Sequence, residues 1–407
     1  MAFIRRKFLE YYSENSEKIP MPTSLPNREF GFVIFRERMM VRHKGFINGA
    51  EVKAFLKSMT PMDAYYSSAY YERPEEHMEN KGWLGADLIF DIDSDHLQTP
   101  CKSEHDYWIC ESCQNSGRGQ QPELCRKCGG SKFKNEAWLC ETCLEAAKAE
   151  TQKLLSFLQE DFGFLPQDIE ICFSGHRGYH VHVENEDVRQ LDQVARKEIV
   201  DYVLGTGLKV EFHGLMEVGK SKIVEGPNLF DPSWNGRIAK GVYDFLKTST
   251  PQQIEEIEGI KSNKSKKAME HRDLILKSWN KKARWGALKD VSFRTWVKLA
   301  EYGLKKQTSF IDTVVTTDIH RLIRAPFTLH GKTGLKAVSI SLEHLKQFDP
   351  FVEAIAFSKG TLKVNVNESH KFRLGNEVFG PYRQETIELP MAAAMYLLCK
   401  KAASPVE

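Results

Sequence analysis

Cys110 and Cys113, Cys125 and Cys128, and Cys140 and Cys143 form three C-x-x-C pairs, and with Cys101 they place seven of the chain's nine cysteines in one short stretch. No other feature limits the fold as strongly. A two-residue gap lets both sulfurs of a pair face one ion, and tetrahedral zinc takes four thiolate or imidazole ligands from two such turns. In a reducing compartment this clustering favours thiolate metal ligands over disulfides. Closed four-ligand sites have no open coordination position, which makes them structural rather than catalytic. Cys172, inside a predicted strand, and Cys399, in the last predicted helix, read as ordinary buried thiols.

With 407 residues the chain has room for one large domain with insertions or for two domains. Its formal net charge of +2 excludes a chain coated in basic residues, so any nucleic-acid contact has to be a local groove. The opening MAFIRRKFLEYYSENSEKIP carries basic residues with no long apolar run behind them. It reads as neither a secretory signal nor a membrane span, and the protein as cytoplasmic.

The periodicity predicts a mixed α/β chain with insertions. A first helix runs to about Lys18; REFGFVIF and MMVRHKGF then alternate like paired strands, and INGAEVKAFLKSMTP has helical spacing. ADLIFDID is a buried strand ending at a polar edge. After the cysteines, Leu144, Ala147, Thr151, Leu154, Leu155 and Leu158 share one helical stripe closed by Gly163. DIEICF and GYHVHV are strands joined by a glycine-rich turn. Residues 188–307 read as an inserted helical subdomain, in which KSNKSKKAMEHRD resembles an exposed, mobile connection. In DTVVTTDIHRLIRAPFTLHGKTGL a strand is expected to begin at Asp312, a short helix to carry Arg321 and Arg324, and a loop to present His330 and Lys332.

Asp91 and Asp93 stand two apart on a predicted strand, so both carboxylates leave the same face, with Cα atoms roughly 6.5 Å apart. Hard oxygen ligands so placed suit Mg²⁺ or Mn²⁺, and two such ions about 3.5–4 Å apart can activate a hydroxyl and stabilise a leaving phosphate. An isolated DID is equally a solvated strand end that caps the next turn. A buried apolar run directly before the pair tips the balance, because like charges held together at its mouth need a counterion. Asp312 and Asp318 are the candidates for a third carboxylate. In SGHRGYH, Ser174, Arg177 and His180 offer hydroxyl, bidentate guanidinium and imidazole donors around glycines, the outline of a triphosphate cradle. The same turn also suits an ordinary hairpin tip, and His180 with His182 a transition-metal pair. Lys332, in a loop beside glycines, can meet a phosphate or solvent; GxxxxGK[ST] is absent.

Four blocks in order, REFGFVIF with MMVRHKGF, YYERP with LIFDIDSD, DFGF with SGHRGYHVHV, and DTVVTTDIHRLIRAPFTLHGKTGL, resemble the small catalytic subunit of archaeal and eukaryotic primases. They span most of the chain, from about Asn27 to Ile340. The resemblance implies a primase catalytic fold, α/β (α+β), with mixed sheets flanked by helices: a core of residues 1–100, 144–187 and 308–407, a zinc-binding insertion at 101–143 and the helical subdomain at 188–307. It implies Asp91, Asp93 and Asp312 as ligands of catalytic Mg²⁺ or Mn²⁺. Ser174, Arg177, His180, His330 and Lys332 would hold the nucleotide, with Arg42 as a further contact. His176 stands where some relatives carry arginine. The family has a structural zinc site after the aspartate pair with fewer cysteines than stand here, which suggests two sites: Cys110, Cys113, Cys125 and Cys128 in one, and Cys140, Cys143, Cys101 and, as candidate fourth ligand, His105 in the other.

By the same resemblance the chain makes short RNA primers, or DNA ones, from nucleoside triphosphates on single-stranded DNA, with release of pyrophosphate. Its partner would be a large subunit bearing an iron-sulfur cluster, for which no four cysteines are left here. The wording of TTDIHRLIRAPFTLHGKTG is closer to archaeal than to eukaryotic members. A stand-alone primase-polymerase, a metal-dependent phosphohydrolase or nuclease using His180 and His182, and a non-catalytic zinc module are the competing readings.

Overall fold

Eight strands carry the architecture around the aspartate pair: β1 (Phe30–Val33), β2 (Met40–Lys44), β3 (Asp63–Ser67), β4 (Leu88–Asp93), β5 (Ile169–Phe173), β6 (Gly178–Val183), β7 (Leu322–Arg324) and β8 (Val338–Ile340). They form two antiparallel sheets, ordered β7-β3-β1-β2 and β8-β5-β6-β4. This computed structural model describes residues 1–35, 39–119, 121–136, 138, 140–220, 223–257, 260, 272–279, 283, 285–287 and 291–406. Of the expected mobile connection KSNKSKKAMEHRD, residues 261–271 lie outside the described residues.

Contacts divide the chain into two units. The first comprises residues 1–151, 166–197 and 311–407; the second comprises 152–165 and 198–310. In the first, Leu88, Ile89, Phe90 and Ile92 of β4 pack with Ile171, Phe173, Tyr179, Val181 and Val183, all buried. Alternation along β4 therefore sinks Ile92 and leaves Asp91 and Asp93 at the surface of a cleft. The cysteine-rich stretch forms its own three-stranded sheet, with Tyr107–Cys110 between Ser116–Arg118 and Phe133–Glu136. Near the C-terminus Thr361–Ser369 pairs with Tyr382–Pro390 and Ala403–Pro405, and the apolar helix Met391–Cys399 is buried.

The second unit is mainly helical and also holds an unexpected hairpin, Met216–Val218 with Ile223–Glu225. Trp279, Trp285 and Trp296 are at most 1 % exposed and meet with ring centroids 4.6, 5.3 and 6.3 Å apart. Residues 152–165, expected with the core, group here instead. The Arg237 guanidinium lies 3.7 Å over the Phe157 ring and donates from Nε and Nη2 to the two Asp161 oxygens at 2.9 and 3.0 Å, so the end of that helix is locked into this unit. No described helix is long and apolar enough to cross a membrane.

One stretch reverses the expected order of strand and helix. Asp312 starts a helix, Thr313–Thr317, whereas Arg324 sits on a strand. The β-branched VVTT favours extended backbone, but the Asp312 carboxylate accepts from the N–H groups of Val314 (2.9 Å) and Val315 (3.4 Å) and nucleates a turn. LIR is drawn into β7 by pairing with β3, Leu322 opposite Ser67 and Arg324 opposite Tyr65. Long-range pairing outweighs local propensity there.

Candidate active site

Register builds this site. In the β4–β6 pair Asp91 stands opposite His180 and Asp93 opposite Gly178, so the carboxylates and the SGHRG turn are forced together. His180 Nε2 lies 3.4 Å from Asp91 Oδ1. Two glycines make the approach possible. Gly175 has φ +80°, a left-handed turn position, and a Cβ at Gly178 would lie 2.0 Å from the Ile92 carbonyl oxygen. Asp312 arrives from the far end of the sequence: its N–H donates to the Asp91 carbonyl oxygen at 2.8 Å.

Asp91, Asp93, Ser174, Arg177, His180 and His330 line one cavity of about 180 Å³. That is below the roughly 300–1,000 Å³ of pockets that enclose a whole ligand. It suits the reacting end of a substrate, phosphates and cations, rather than a complete nucleotide. Burial, then the charges of Asp93 and Asp312, push the Asp91 carboxyl up to about 7. Asp91 and Asp93 offer hard oxygen donors of the kind that suit a divalent cation, whereas Asp312 does not line the cavity: its carboxylate is taken up by the Val314 and Val315 N–H groups, and it acts on Asp91 through its charge.

His176 and His330 stack at 4.7 Å with an interplanar angle of 20°. Burial, followed by their mutual repulsion for His176 and by Arg324 for His330, holds both imidazoles well below the usual histidine range, so both are neutral. The Lys332 N–H donates to His330 Nδ1 at 3.1 Å, which leaves the His330 proton on Nε2, available to a phosphate oxygen. Thr333 Oγ1 donates to the Gly175 carbonyl at 2.6 Å and ties the His330 loop to the SGHRG turn. Arg177 is held by two carboxylates: its Nη1 pairs with Asp95, and its Nε lies 3.8 Å from Asp93.

Not every expected residue gathers here. Arg42 does not line the cavity; its guanidinium donates from Nε and Nη2 to the buried Glu29 at 3.0 and 3.2 Å, which also draws Lys81 at 3.3 Å. An uncompensated buried carboxylate is costly, so Glu29 claims both cations. Lys332 lines a neighbouring cavity. His182 Nε2 lies 2.9 Å from Asp87 Oδ2, and Asp87 is paired with Arg28 at 2.6 Å, so His182 belongs to a buried network away from the carboxylates. Asp318 caps its own turn, accepting from the His320 N–H at 2.9 Å.

Sequence reasoning passed over Tyr65 and the cavity roles of Arg321 and Arg324. It also missed Asp63, whose Oδ1 accepts from Arg324 Nη1 at 2.7 Å and from the Gly331 N–H at 3.0 Å. An aspartate inside the apolar run PMDAYY was the available signal, since a charge rarely enters such a strand without a partner.

The cysteines fall into two groups of potential metal ligands, Cys110, Cys113, Cys125 and Cys128, and Cys101, His105, Cys140 and Cys143; within each, the ligand atoms lie within 4.8 Å of one another. Cys110 and Cys128 sulfurs are 3.6 Å apart, as are Cys113 and Cys125; Cys101 lies 3.5 Å from Cys143 and 3.4 Å from Cys140. A disulfide needs about 2.05 Å. Four thiolates about 2.3 Å from one tetrahedral ion would be about 3.8 Å apart, so both groups fit a shared cation. His105 Nε2 faces Cys143 Sγ at 3.6 Å, while its Nδ1 is held by Asp106 at 2.7 Å.

A family model described as DNA primase small subunit matches residues 126–342. The DNA primase small subunit PriS of Nitrosopumilus maritimus is 33 % identical over 404 residues, covering 99 % of this chain and 98 % of the relative. PriS of Archaeoglobus fulgidus is 34 % identical over 406 residues with the same coverage, and PriS of Cenarchaeum symbiosum 31 % over 406. Likeness from end to end, together with the carboxylate cleft and the glycine-rich turn beside it, places this chain in the DNA primase small-subunit family.

Proposed function

We propose that this chain is the catalytic subunit of a DNA primase, a nucleotidyltransferase that joins nucleoside triphosphates into short RNA primers along single-stranded DNA. A large subunit would be its partner, as the words "small subunit" in its relatives' names imply. The observation that carries the reading is a single cavity edged by Asp91 and Asp93 and by Ser174, Arg177, His180 and His330, with Asp312 hydrogen-bonded to Asp91. Asp91, Asp93 and Asp312 would hold Mg²⁺ or Mn²⁺. Bound there, the cations would neutralise the reacting phosphate and favour the attacking hydroxylate.

The remaining roles belong to the chain's own groups. Arg177 and the neutral His330, donating from Nε2, would orient the β- and γ-phosphates. Ser174 and His180 would fix the nucleotide near Asp91, and the turn's rigidity would hold the α-phosphate in line with a 3′-hydroxyl. Zinc in each cysteine group would fold the 101–143 segment.

Incorporation of labelled nucleotide on a single-stranded DNA template, with and without Mg²⁺ or Mn²⁺, tests the reading. Cation-dependent chain growth is expected. Nucleotide hydrolysis without growth would instead make the protein a phosphohydrolase, and neither activity would leave a non-catalytic zinc module.

A further inference from the structure

His176 and Arg177 line two cavities. Asp91, Asp93 and His180 line only the first; the second, of about 870 Å³, takes Lys332 from the His330 loop, Arg118 and Lys134 from the cysteine-rich sheet, and Lys400 and Lys401 from the C-terminal region. Among the described residues two carboxylates line this cavity, Asp106 and Glu368, and Asp106 is already engaged by His105. Arg118, Lys332 and Lys401 alone outnumber these carboxylates, and a positive lining of this kind attracts a polyanion. Between the cavities stands His176, 8 % exposed, whose buried Nε2 has no hydrogen-bond partner among the described residues. A buried nitrogen without a partner costs about 1–3 kcal/mol, a cost that a bound ligand's oxygen would relieve.

Building on the polymerase reading of the carboxylate cavity, we infer that the second cavity binds inorganic pyrophosphate and conducts it away from the site. A nucleotide with its α-phosphate at Asp91 and Asp93 and its outer phosphates on Arg177 and His330 points its tail toward Lys332. In the reaction the 3′-oxygen forms a bond to the α-phosphorus and gives its proton to solvent. The bond from that phosphorus to the bridging oxygen breaks, and pyrophosphate leaves with the electron pair. The product then bears more charge on its own than it did as part of the nucleotide. Cations on its far side, with His176 donating on the way, attract it outward, whereas the carboxylates behind repel it. A volume of 870 Å³ accommodates on the order of thirty waters, enough for a hydrated polyanion to pass. The primer end, by contrast, has to approach the α-phosphate from the opposite side for an in-line attack, so nucleic acid is the less suitable occupant.

The test uses the full chain with its metal ions and two exposed residues outside the nucleotide cradle, as Arg118→Ala, Lys401→Gln and the double variant. Elongation of a preformed primer on a DNA template is measured at rising inorganic pyrophosphate, and pyrophosphate binding is titrated separately by calorimetry. The double variant should need about tenfold more pyrophosphate for half-inhibition and bind it about tenfold more weakly, with the nucleotide KM within about twofold of the wild type. Unchanged inhibition and binding would overturn the inference. So would a loss of primer–template affinity with pyrophosphate binding intact, which would make the groove a nucleic-acid path. If the wild type failed to extend primers at all, the polymerase reading would fall. The calorimetric titration would still decide the anion site: variant-sensitive binding supports it and indifferent binding rejects it.

Discussion

The cysteine groups and the carboxylate cavity both concentrate negative charge in the first unit, by opposite routes. In the cysteine groups the ligands come from nearby turns, 18 residues apart for Cys110 and Cys128 and 42 for Cys101 and Cys143, and their atoms sit 3.4–3.6 Å apart. Little else there could organise the chain: the short strands of this segment frame a sheet of only three members. In the cavity Asp91 and Asp93 ride on a strand whose Leu88, Phe90 and Ile92 are fully buried, and Asp312 is delivered by a helix cap and a backbone hydrogen bond. A packed sheet holds those carboxylates together against their repulsion. On the proposed reading the cysteines would need an ion to fold, and the carboxylates would need one only to act.

Metal removal should separate the two most sharply. Structural zinc in small domains contributes about 10–16 kcal/mol of binding free energy, nearly all of it expressed as folding. A strong zinc chelator, or Cys125→Ser, should open the 101–143 segment to limited proteolysis, and elemental analysis should fall from two zinc ions per chain to one in the variant. A weak chelator that removes only Mg²⁺ should abolish synthesis with the proteolysis pattern unchanged. Digestion at equal rates in both treatments would erase the distinction.

Asp91→Asn and Asp93→Asn carry the next largest effect. Each should lower primer synthesis by about 10⁴-fold, roughly 5.5 kcal/mol at 1.36 kcal/mol per tenfold. Burial and the neighbouring Asp93 and Asp312 charges disfavour an ionised Asp91, so in metal-free buffer Asp91→Asn should melt at the same temperature as the wild type or higher. A large drop in melting temperature would mean that the carboxylates hold the fold as well.

The same contrast governs what could be read from the chain. C-x-x-C spacing is local and gives the three pairs, whereas their division into two groups, with Cys101 and His105 completing the second, was suggested only by comparison with the family's zinc site. The Asp91 and Asp93 pair is legible because strand periodicity alone puts both on one face. Asp312 was a candidate beside Asp318, and only the family resemblance chose between them, since nothing local marks it; VVTT even argued for the wrong element. Arg42 entered through the resemblance alone, and its partner Glu29, directly before β1, is a neighbour that strand pairing creates. Asp63 and Arg324 are 261 residues apart, so neither could announce the other.

That pair offers the third test, because it fastens β3, β7 and the His330 loop at once. Burial pushes the Asp63 carboxyl up, but Arg324 and the Gly331 N–H outweigh burial and hold it below the usual carboxylate range. Asp63→Ala leaves the Arg324 guanidinium unpaired in the interior and should cost about 3–5 kcal/mol, read from urea midpoints. A depressed folded-state pKa means the stabilisation is present above the unfolded value of about 3.9 and is lost as pH falls through the lower folded value. The gap between wild type and variant should therefore stay constant from neutral pH to about 4 and close only below that. Closure at higher pH would show that Asp63 is not held in its charged form.

Asp95 gives the smallest effect and the finest division between holding and acting. It pairs with Arg177, the side chains being 32 and 20 % exposed, so the contact is worth at most about 1 kcal/mol. A triphosphate has to compete with Asp95 for that guanidinium. Asp95→Asn removes the competitor's charge without touching Asp91 or Asp93, and it should lower the nucleotide KM by up to about fivefold while kcat changes by less than about twofold. Arg177→Lys should do the reverse, raising KM, because an ammonium cannot grip two phosphate oxygens as a planar fork does. If Asp95→Asn instead lowered kcat with KM unchanged, Asp95 would belong with the carboxylates that act in the reaction. The boundary between scaffold and chemistry would then lie past the end of β4, in the turn Ser94–His96, rather than at the cavity walls.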